Sequence, residues 1–552
     1  MTFMKDLCIS KSFFQRVSHL PTFLLICGLP VYWIELYFLN TGRGQTSFLA
    51  WLAFAALAAV ILLKRPPDSA DAISPQTFFN LLKERSTRYF VGLGILLAGI
   101  IVTVGLRASF FPPHLSQETD FINYHIMLPR QHLIQGSFDF IRWSVADLFL
   151  IPLDYAVAPF SLATQLPNKW PFFIFFIGLI LMALSLTYQF SRKNALSVML
   201  VLFAVLGSHN IGIQIGAAMF DLMMCYLFLA ALDSLLNQRW VLFSVEAAFY
   251  FWSKSFLPVQ IGLIIVCMVL IYYVLRWFKL TGVYWDFQNL VAQSWIVQLK
   301  RQGKMIAGIF LVSSCVIAGP FLVKTLAHAG TPLYPFAVGS LNRPIDPVSG
   351  HWRSLLRNAE YMVHDVKDDY GHGRSPVDFL KHFWLIAVPE KDVNNAFDYP
   401  LGLVYLLVLG LFLRNVFLSL RKREFAVLPL FVIVFWAAWW MGSQQSRFLF
   451  SPLLIMIITV FSSVSKPSIV LRGCLFLALA VNTISIVRAH QPDFGRRPMD
   501  VLKKRDLEIV RMNEAYFSAG RTDAVEMDFH TVGYAQFPVV LTKEEFPLTL
   551  AP

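Results

Sequence analysis

The sequence predicts an all-α polytopic membrane protein, and three observations carry that prediction. Of 552 residues, 57% are hydrophobic and only 14% charged, where a soluble domain carries about 25% charged residues. Mean hydropathy is +0.59, more apolar surface than a soluble fold can bury, so the bilayer must serve as solvent. The apolar runs are continuous rather than alternating, which selects spanning helices over a barrel.

An apolar run of about 20 residues crosses a bilayer as a helix. About thirteen qualify, near 22–39, 47–63, 89–106, 171–190, 196–207, 214–236, 241–252, 257–277, 305–323, 401–413, 426–441, 448–463 and 471–487. The first lacks a small-residue cleavage pattern and reads as a signal anchor. The net charge of +12 is no nucleic-acid signature, because the Lys and Arg residues collect between apolar runs and no basic-aromatic patch accompanies them. Lys5, Lys11 and Arg16 precede the first run, and Lys64, Arg65, Lys83, Arg85 and Arg88 follow the second. Further groups are Arg192 with Lys193, Arg276 through Lys304, and Arg414 through Arg423. All fall on one side if the N-terminus is cytoplasmic, as the positive-inside rule requires. That parity needs the apolar segment 146–163, broken by Pro152, Asp154 and Pro159, to be re-entrant or interfacial.

The expected organisation is a membrane domain over 1–487 and an extracytoplasmic tail over 488–552, in which 537–541 reads as a strand. Two long outer loops are expected, 107–170 and 324–399, with short outer turns near His209, Lys254 and Gln444. Cys8, Cys27, Cys225, Cys267, Cys315 and Cys474 form no close pair and read as small core residues. No internal repeat stands out.

Several polar residues sit where apolar chemistry should rule. The first outer loop carries Glu118, Asp120, Tyr124, His125, Arg130 and His132 within a short stretch. A carboxylate at a membrane surface can take a proton from a sugar or lipid hydroxyl; the structural alternative is that Glu118 and Asp120 cap a helix starting near Phe121. Asp221 falls inside an apolar run, one to two turns from its outer edge, and an intramembrane acid is a functional candidate by default. Lys254 is a cation in an outer turn, where the charge rule does not expect one; it anchors a phosphate or simply snorkels. Arg447, in the turn Gln444-Gln445-Ser446-Arg447, offers bidentate phosphate recognition or an interfacial anchor. Gly330-Thr331-Pro332-Leu333-Tyr334-Pro335 is a stiff turn.

Taken together, these pieces resemble the GT-C superfamily of polytopic glycosyltransferases, particularly the bacterial protein-mannosyltransferase-like and lipid A aminoarabinose-transferase-like members. The resemblance rests on the acidic first loop running into Tyr124-His125, the helix of Gly216 and Asp221, and the Ser253-Lys254 turn. The 330–336 segment resembles the family's GNPxYPF stretch, and the Gln444–Phe448 turn precedes a late span. The set covers roughly 116–452 in the family's order. Two positions depart: the loop acids are split as Glu118 and Asp120, and Thr331 stands where Asn is usual.

The resemblance implies a GT-C fold and sugar transfer from a polyprenyl-phosphate donor to an extracytoplasmic hydroxyl of a lipid, polysaccharide or protein. Asp120, with Glu118 beside it, would serve as general base. Lys254 and Arg447 would hold the leaving phosphate, and Tyr124, His125, Asp221, Tyr334 and Gln444 would contact substrate. A divalent metal is possible, although the histidines lack close ligand spacing. The expected location is the inner (plasma) membrane. The rival readings are a transporter or lipid flippase, which would line a path through both membrane halves and often carries repeats, and a non-catalytic assembly protein.

Overall fold

The computed structural model describes residues 11–39, 42–63, 83–113, 118, 120–141, 144–164, 166–277, 282–286, 293–338, 359–360, 371, 373–387, 400–442, 444–464, 466–490, 496, 504–519, 525–527 and 539–541. Helices dominate. In chain order they are α1 (Lys11–Ser18), α2 (Leu20–Tyr37), α3 (Leu49–Leu63), α4 (Arg85–Ser109), α5 (Met127–Gln135), α6 (Pro152–Ser161), α7 (Trp170–Phe190), α8 (Ala195–Gly207), α9 (His209–Ile213) and α10 (Phe220–Leu236). Then come α11 (Trp240–Phe251), α12 (Leu257–Trp277), α13 (Gln293–Ala329), α14 (Pro376–Leu385), α15 (Leu403–Arg421), α16 (Val427–Met441), α17 (Phe450–Ser462), α18 (Ile469–His490) and α19 (Lys504–Ser518). Two short parallel pairings complete the chain, β1 (Gly282–Tyr284) with β2 (Glu424–Ala426) and β3 (Val525–Met527) with β4 (Val539–Leu541). β4 lies within the predicted strand 537–541.

Among the described residues, 7 helices are long and apolar enough to cross a membrane, namely α2, α4, α7, α12, α13, α15 and α18. Every apolar run of the sequence falls on a helix, several of them shorter, such as α3, α8, α11 and α16. α10 and α17 are buried on nearly every face and form the centre. α10 packs against α7, α11 and α17, while α18 packs on α4 and α8. α3, α12 and α13 leave Leu52, Leu63, Leu263, Val266, Leu311 and Val312 exposed. A helix apolar on its outward face suits a lipid surround.

The 146–163 segment forms a 3-10 turn, Val145–Leu148, followed by α6. At 10 residues, α6 is about 15 Å long, half the apolar thickness of a bilayer. All of it is buried, and it lies against the middle of α2. Gly28 makes that approach possible: a Cβ there would stand 1.9 Å from the Ala156 carbonyl oxygen.

Three expected boundaries shift. The run 214–236 is helical only from Phe220, because Gly216 turns the backbone at φ +74. A Cβ on Gly216 would sit 2.3 Å from the Gly105 carbonyl oxygen of α4, so this turn depends on glycine. Asp221 therefore stands in the first turn of α10, not one to two turns inside it. The second long loop begins after Ala329 rather than at Lys324, which is a buried residue of α13. The last apolar helix, α18, extends to His490, so the tail begins slightly later than 488. Cys27, Cys225, Cys267, Cys315 and Cys474 are unpaired; Cys8 lies outside the described residues.

Candidate functional site

Four chain turns deliver charged side chains to one end of α10. Asp221 occupies its first turn, where the helix dipole favours a carboxylate. Lys254 sits in the turn joining α11 to α12, and its Nζ donates to Asp221 Oδ1 at 2.8 Å. Arg447 lies on the 3-10 turn Ser446–Leu449 between α16 and α17. Its NH1 donates to Asp120 Oδ2 at 3.1 Å, across 327 positions of sequence. Gln445 Oε1 accepts from Arg447 Nε and NH2, each at 3.3 Å, and fixes the plane of the guanidinium. The Phe448 ring underlies both cations, with Lys254 Nζ 4.7 Å and the Arg447 guanidinium carbon 5.5 Å from its centroid.

Asp120 opens a π-helical turn, Phe121–His125, and makes no capping bond with its side chain. Its carboxylate is turned to Arg447 and left 42% exposed, so the capping alternative does not describe it. Single π turns recur where side chains must be re-aimed within a helix. The same turn presents Tyr124 and His125. His125 Nδ1 lies 2.7 Å from Asp154 Oδ2, on α6. Burial, then the charge of Asp120, push the Tyr124 hydroxyl well above the ordinary tyrosine range, so it remains a neutral donor. Lys254 acts electrostatically on both Asp154 and Asp221, and His125 acts on Asp221, so these groups share one field.

A small cavity of about 20 Å³ lies beside this cluster. Asp221 and Arg447 line it together with Met224, Tyr250, Phe256 and Phe435. It has a charged rim and largely apolar, aromatic walls running between α10, α12, α16 and α17.

The remaining expected site residues are placed elsewhere. Glu118 is 2% exposed; its Oε1 accepts from the Ala218 amide at 2.6 Å and lies 3.2 Å from Lys169 Nζ. That arrangement fixes the 214–219 turn to the first loop, so Glu118 supports the backbone just before Asp221. Gln444 is buried, and its amide donates to the Gly373 and Trp440 carbonyls at 3.1 and 3.2 Å. Tyr334 is fully buried in a small separate core with Phe140, Leu148, Ala329 and Ala359. None of these three reaches the Lys254–Arg447 cluster through a described contact. Two groups at the cluster went unselected in the sequence, Asp154 and Gln445. Asp154 carried a usable signal, an acid inside an apolar segment; Gln445 carried none beyond adjacency to Arg447.

Two further ionic groups are buried, one of them with a partly exposed cation, Arg239, 3.7 Å from Asp233. Asp147 Oδ1 accepts from Lys324 Nζ at 2.7 Å and lies 2.9 Å from His132 Nε2, with Lys324 3.8 Å from the Phe138 centroid. At the far end of α10, His19 lies between Glu246, 2.8 Å away, and Asp233, 3.0 Å away. Thr22, Ser185, Gln189 and Ser234 complete the hydrogen bonding of those carboxylates. Among the described residues no group of three His, Cys, Asp or Glu side chains is arranged to hold a metal ion. Protein-family models, curated proteins and solved structures give no match to this chain.

Proposed function

We propose that this protein is a polytopic membrane glycosyltransferase that moves a sugar from a polyprenyl-phosphate donor to an acceptor hydroxyl. The observation that carries the reading is the meeting of the Asp120–Arg447 and Asp221–Lys254 pairs beside a small, largely apolar cavity that Asp221 and Arg447 line. A lipid-linked donor has the matching shape, an anionic phosphate joined to an apolar chain. In this reading the chain crosses the membrane thirteen times with its N-terminus in the cytoplasm, and α6 enters to half depth without crossing. The basic turns then face the cytoplasm and the site faces outward in the inner (plasma) membrane.

The donor phosphate takes its place against Lys254 and Arg447. Lys254 has three donors, and among the described residues only Asp221 accepts from it. The acceptor oxygen forms the new bond to the anomeric carbon. The bond from that carbon to the phosphate oxygen breaks, the lipid phosphate leaves with the electron pair, and the acceptor proton passes to Asp120. Stabilising the leaving phosphate is the larger effect, and the base contributes about 10²–10⁴-fold. The exposed oxygens of Asp120 suit the base, and the Asp221 pairing holds Lys254 in place.

The test uses purified protein in lipid nanodiscs with polyprenyl-phosphate-linked hexoses and pentoses as donors, reading sugar transfer and release of polyprenyl phosphate. Lys254→Ala should lose about 10²–10³-fold in rate, measured on the folded fraction because it leaves the buried Asp221 without its partner. Asp120→Asn should lose transfer in the same way. Full activity of Asp120→Asn would remove it as base, and full activity of Lys254→Ala would remove the phosphate site.

A further inference from the structure

The His125–Asp154 pair is the feature of the cluster that the transfer chemistry leaves without a role. His125 is 7% exposed. Its ring packs against Phe220, stacked with centroids 4.3 Å apart, and against Tyr124 at 4.1 Å. Its Nδ1 edge is closed by Asp154 at 2.7 Å. That leaves the Nε2 edge. Nε2 has no hydrogen-bond partner among the described residues, yet it is absent from the sealed polar atoms that lack one. The imidazole is thus held by two aromatic rings and a carboxylate, with one polar atom left open.

The clamp also sets the proton. An ionised carboxylate only accepts, so Asp154 places the proton of the neutral ring on Nδ1. The lone pair then lies on Nε2, facing outward, in the way that a carboxylate fixes the tautomer of a metal-bound histidine. A group so held binds a donor, and a sugar hydroxyl is such a donor. Its location beside the phosphate position follows from the chain: His125 ends the π turn that Asp120 opens, Asp120 meets Arg447 at 3.1 Å, and Phe220, packed on the imidazole, precedes Asp221, which Lys254 bonds at 2.8 Å. Lys254 acts on Asp154 and on Asp221, and Asp221 is acted on by Lys254, Arg447 and His125. A sugar joined to a phosphate at Lys254 and Arg447 would lie beside Asp120 and the turn that carries His125.

We infer that His125 Nε2 accepts a hydrogen bond from one hydroxyl of the donor sugar and that Asp154 is the residue that positions it. The inference rests on the transfer reading above and deepens it: the donor must carry a hydroxyl at one particular ring position. The charged groups shown to act with the imidazole are Asp154 and Asp221, and Lys254 acts on both carboxylates.

The experiment pairs single-deoxy donors with two isosteric variants, in the nanodisc-embedded protein. An asparagine at 125 carries its amide near the Nδ1 position and keeps the Asp154 contact. A glutamine carries it near Nε2 and keeps the outward acceptor. In the wild type, removing one ring hydroxyl should lower kcat/KM by about 10–100-fold, the cost of leaving a buried acceptor unmet. His125→Asn should treat the parent and that deoxy donor alike, within about threefold. His125→Gln should recover part of the discrimination, and Asp154→Ala should weaken it with His125 intact. A purely structural histidine gives the opposite order, with asparagine tolerated, glutamine not, and selectivity unchanged. If His125→Asn discriminates as the wild type does, or no deoxy position matters, the inference fails while transfer stands. If the wild type releases polyprenyl phosphate from no donor, the transfer reading fails and takes the inference with it.

Discussion

The two ends of α10 carry aspartates in opposite circumstances. Asp221 and Asp233 are separated by twelve residues on one helix, about 18 Å. Asp233 belongs to a group that is shut: the side chains of His19, Asp233 and Glu246 are 2%, 0% and 0% exposed. Around Asp221 the ion pairs stay open, with Lys254 and Arg447 each 18% exposed and Asp120 42%. Around Asp233 the carboxylate oxygens are met by His19, Ser185 and Gln189. A closed, fully bonded ionic group fixes helices in place. The open group at Asp221, next to a cavity, leaves its charges partly exposed, and in the proposed reading they meet the ligand. The location of unmet donors and acceptors, rather than the number of charges, separates scaffold from site.

Substitution should therefore produce different losses at the two ends. The largest effect on stability is expected at the closed end. His19→Ala leaves two buried carboxylates without their shared cation and should cost about 3–5 kcal/mol, read as a lower melting temperature in nanodiscs. An unchanged melt would mean that the closed group is not a structural lock. At the open end, Arg447→Ala should leave the melt nearly unchanged and lower sugar transfer by about 10²–10³-fold. Loss of fold in that variant, or full transfer, would erase the distinction.

A pH titration sharpens the same contrast. Burial pushes the His19 ring down, but Glu246 and Asp233 together outweigh it and raise its pKa from 6.5 to about 9. The stabilisation from this raised pKa is complete below pH 6.5 and fades as pH climbs through about 9. It amounts to about 3 kcal/mol. The melting temperature should fall between pH 7 and 10 in the wild type, and the fall should be smaller in His19→Asn. The smallest effect concerns aim. Gln445→Ala frees the Arg447 guanidinium and should lower transfer about fivefold, the worth of about one hydrogen bond; a loss as large as that of Arg447→Ala would make Gln445 part of the phosphate site itself.

Much of this arrangement could be read from the chain alone, for a physical reason. In a sequence this apolar, a charge near a hydrophobic run is conspicuous because it is costly there, and Asp120, Asp221, Lys254 and Arg447 all stood out in that way. Helix positions were legible for the same reason, since apolar length is nearly the only rule that spanning helices must obey. What the sequence hid is pairing and local turn geometry. Asp120 meets Arg447 across 327 positions, and no spacing rule reports so distant a contact. Glu118 looked like a companion base, yet Lys169 and the Ala218 amide claim it. The start of α10 was hidden because the 214–219 turn is as apolar as the helix it precedes. Only Gly216 marked the break, and its role depends on a neighbour, Gly105, that lies far off in sequence.

The most direct test of the account is a cryo-electron microscopy structure of the protein in nanodiscs with a non-transferable polyprenyl-phosphonate sugar. The account predicts phosphonate density within hydrogen-bond reach of Lys254 and Arg447, an apolar chain in the cavity past Met224 and Phe435, and the sugar beside Asp120 and His125. Phosphonate density at the basic turns of the opposite end, or none near Lys254 at saturating ligand, would contradict it.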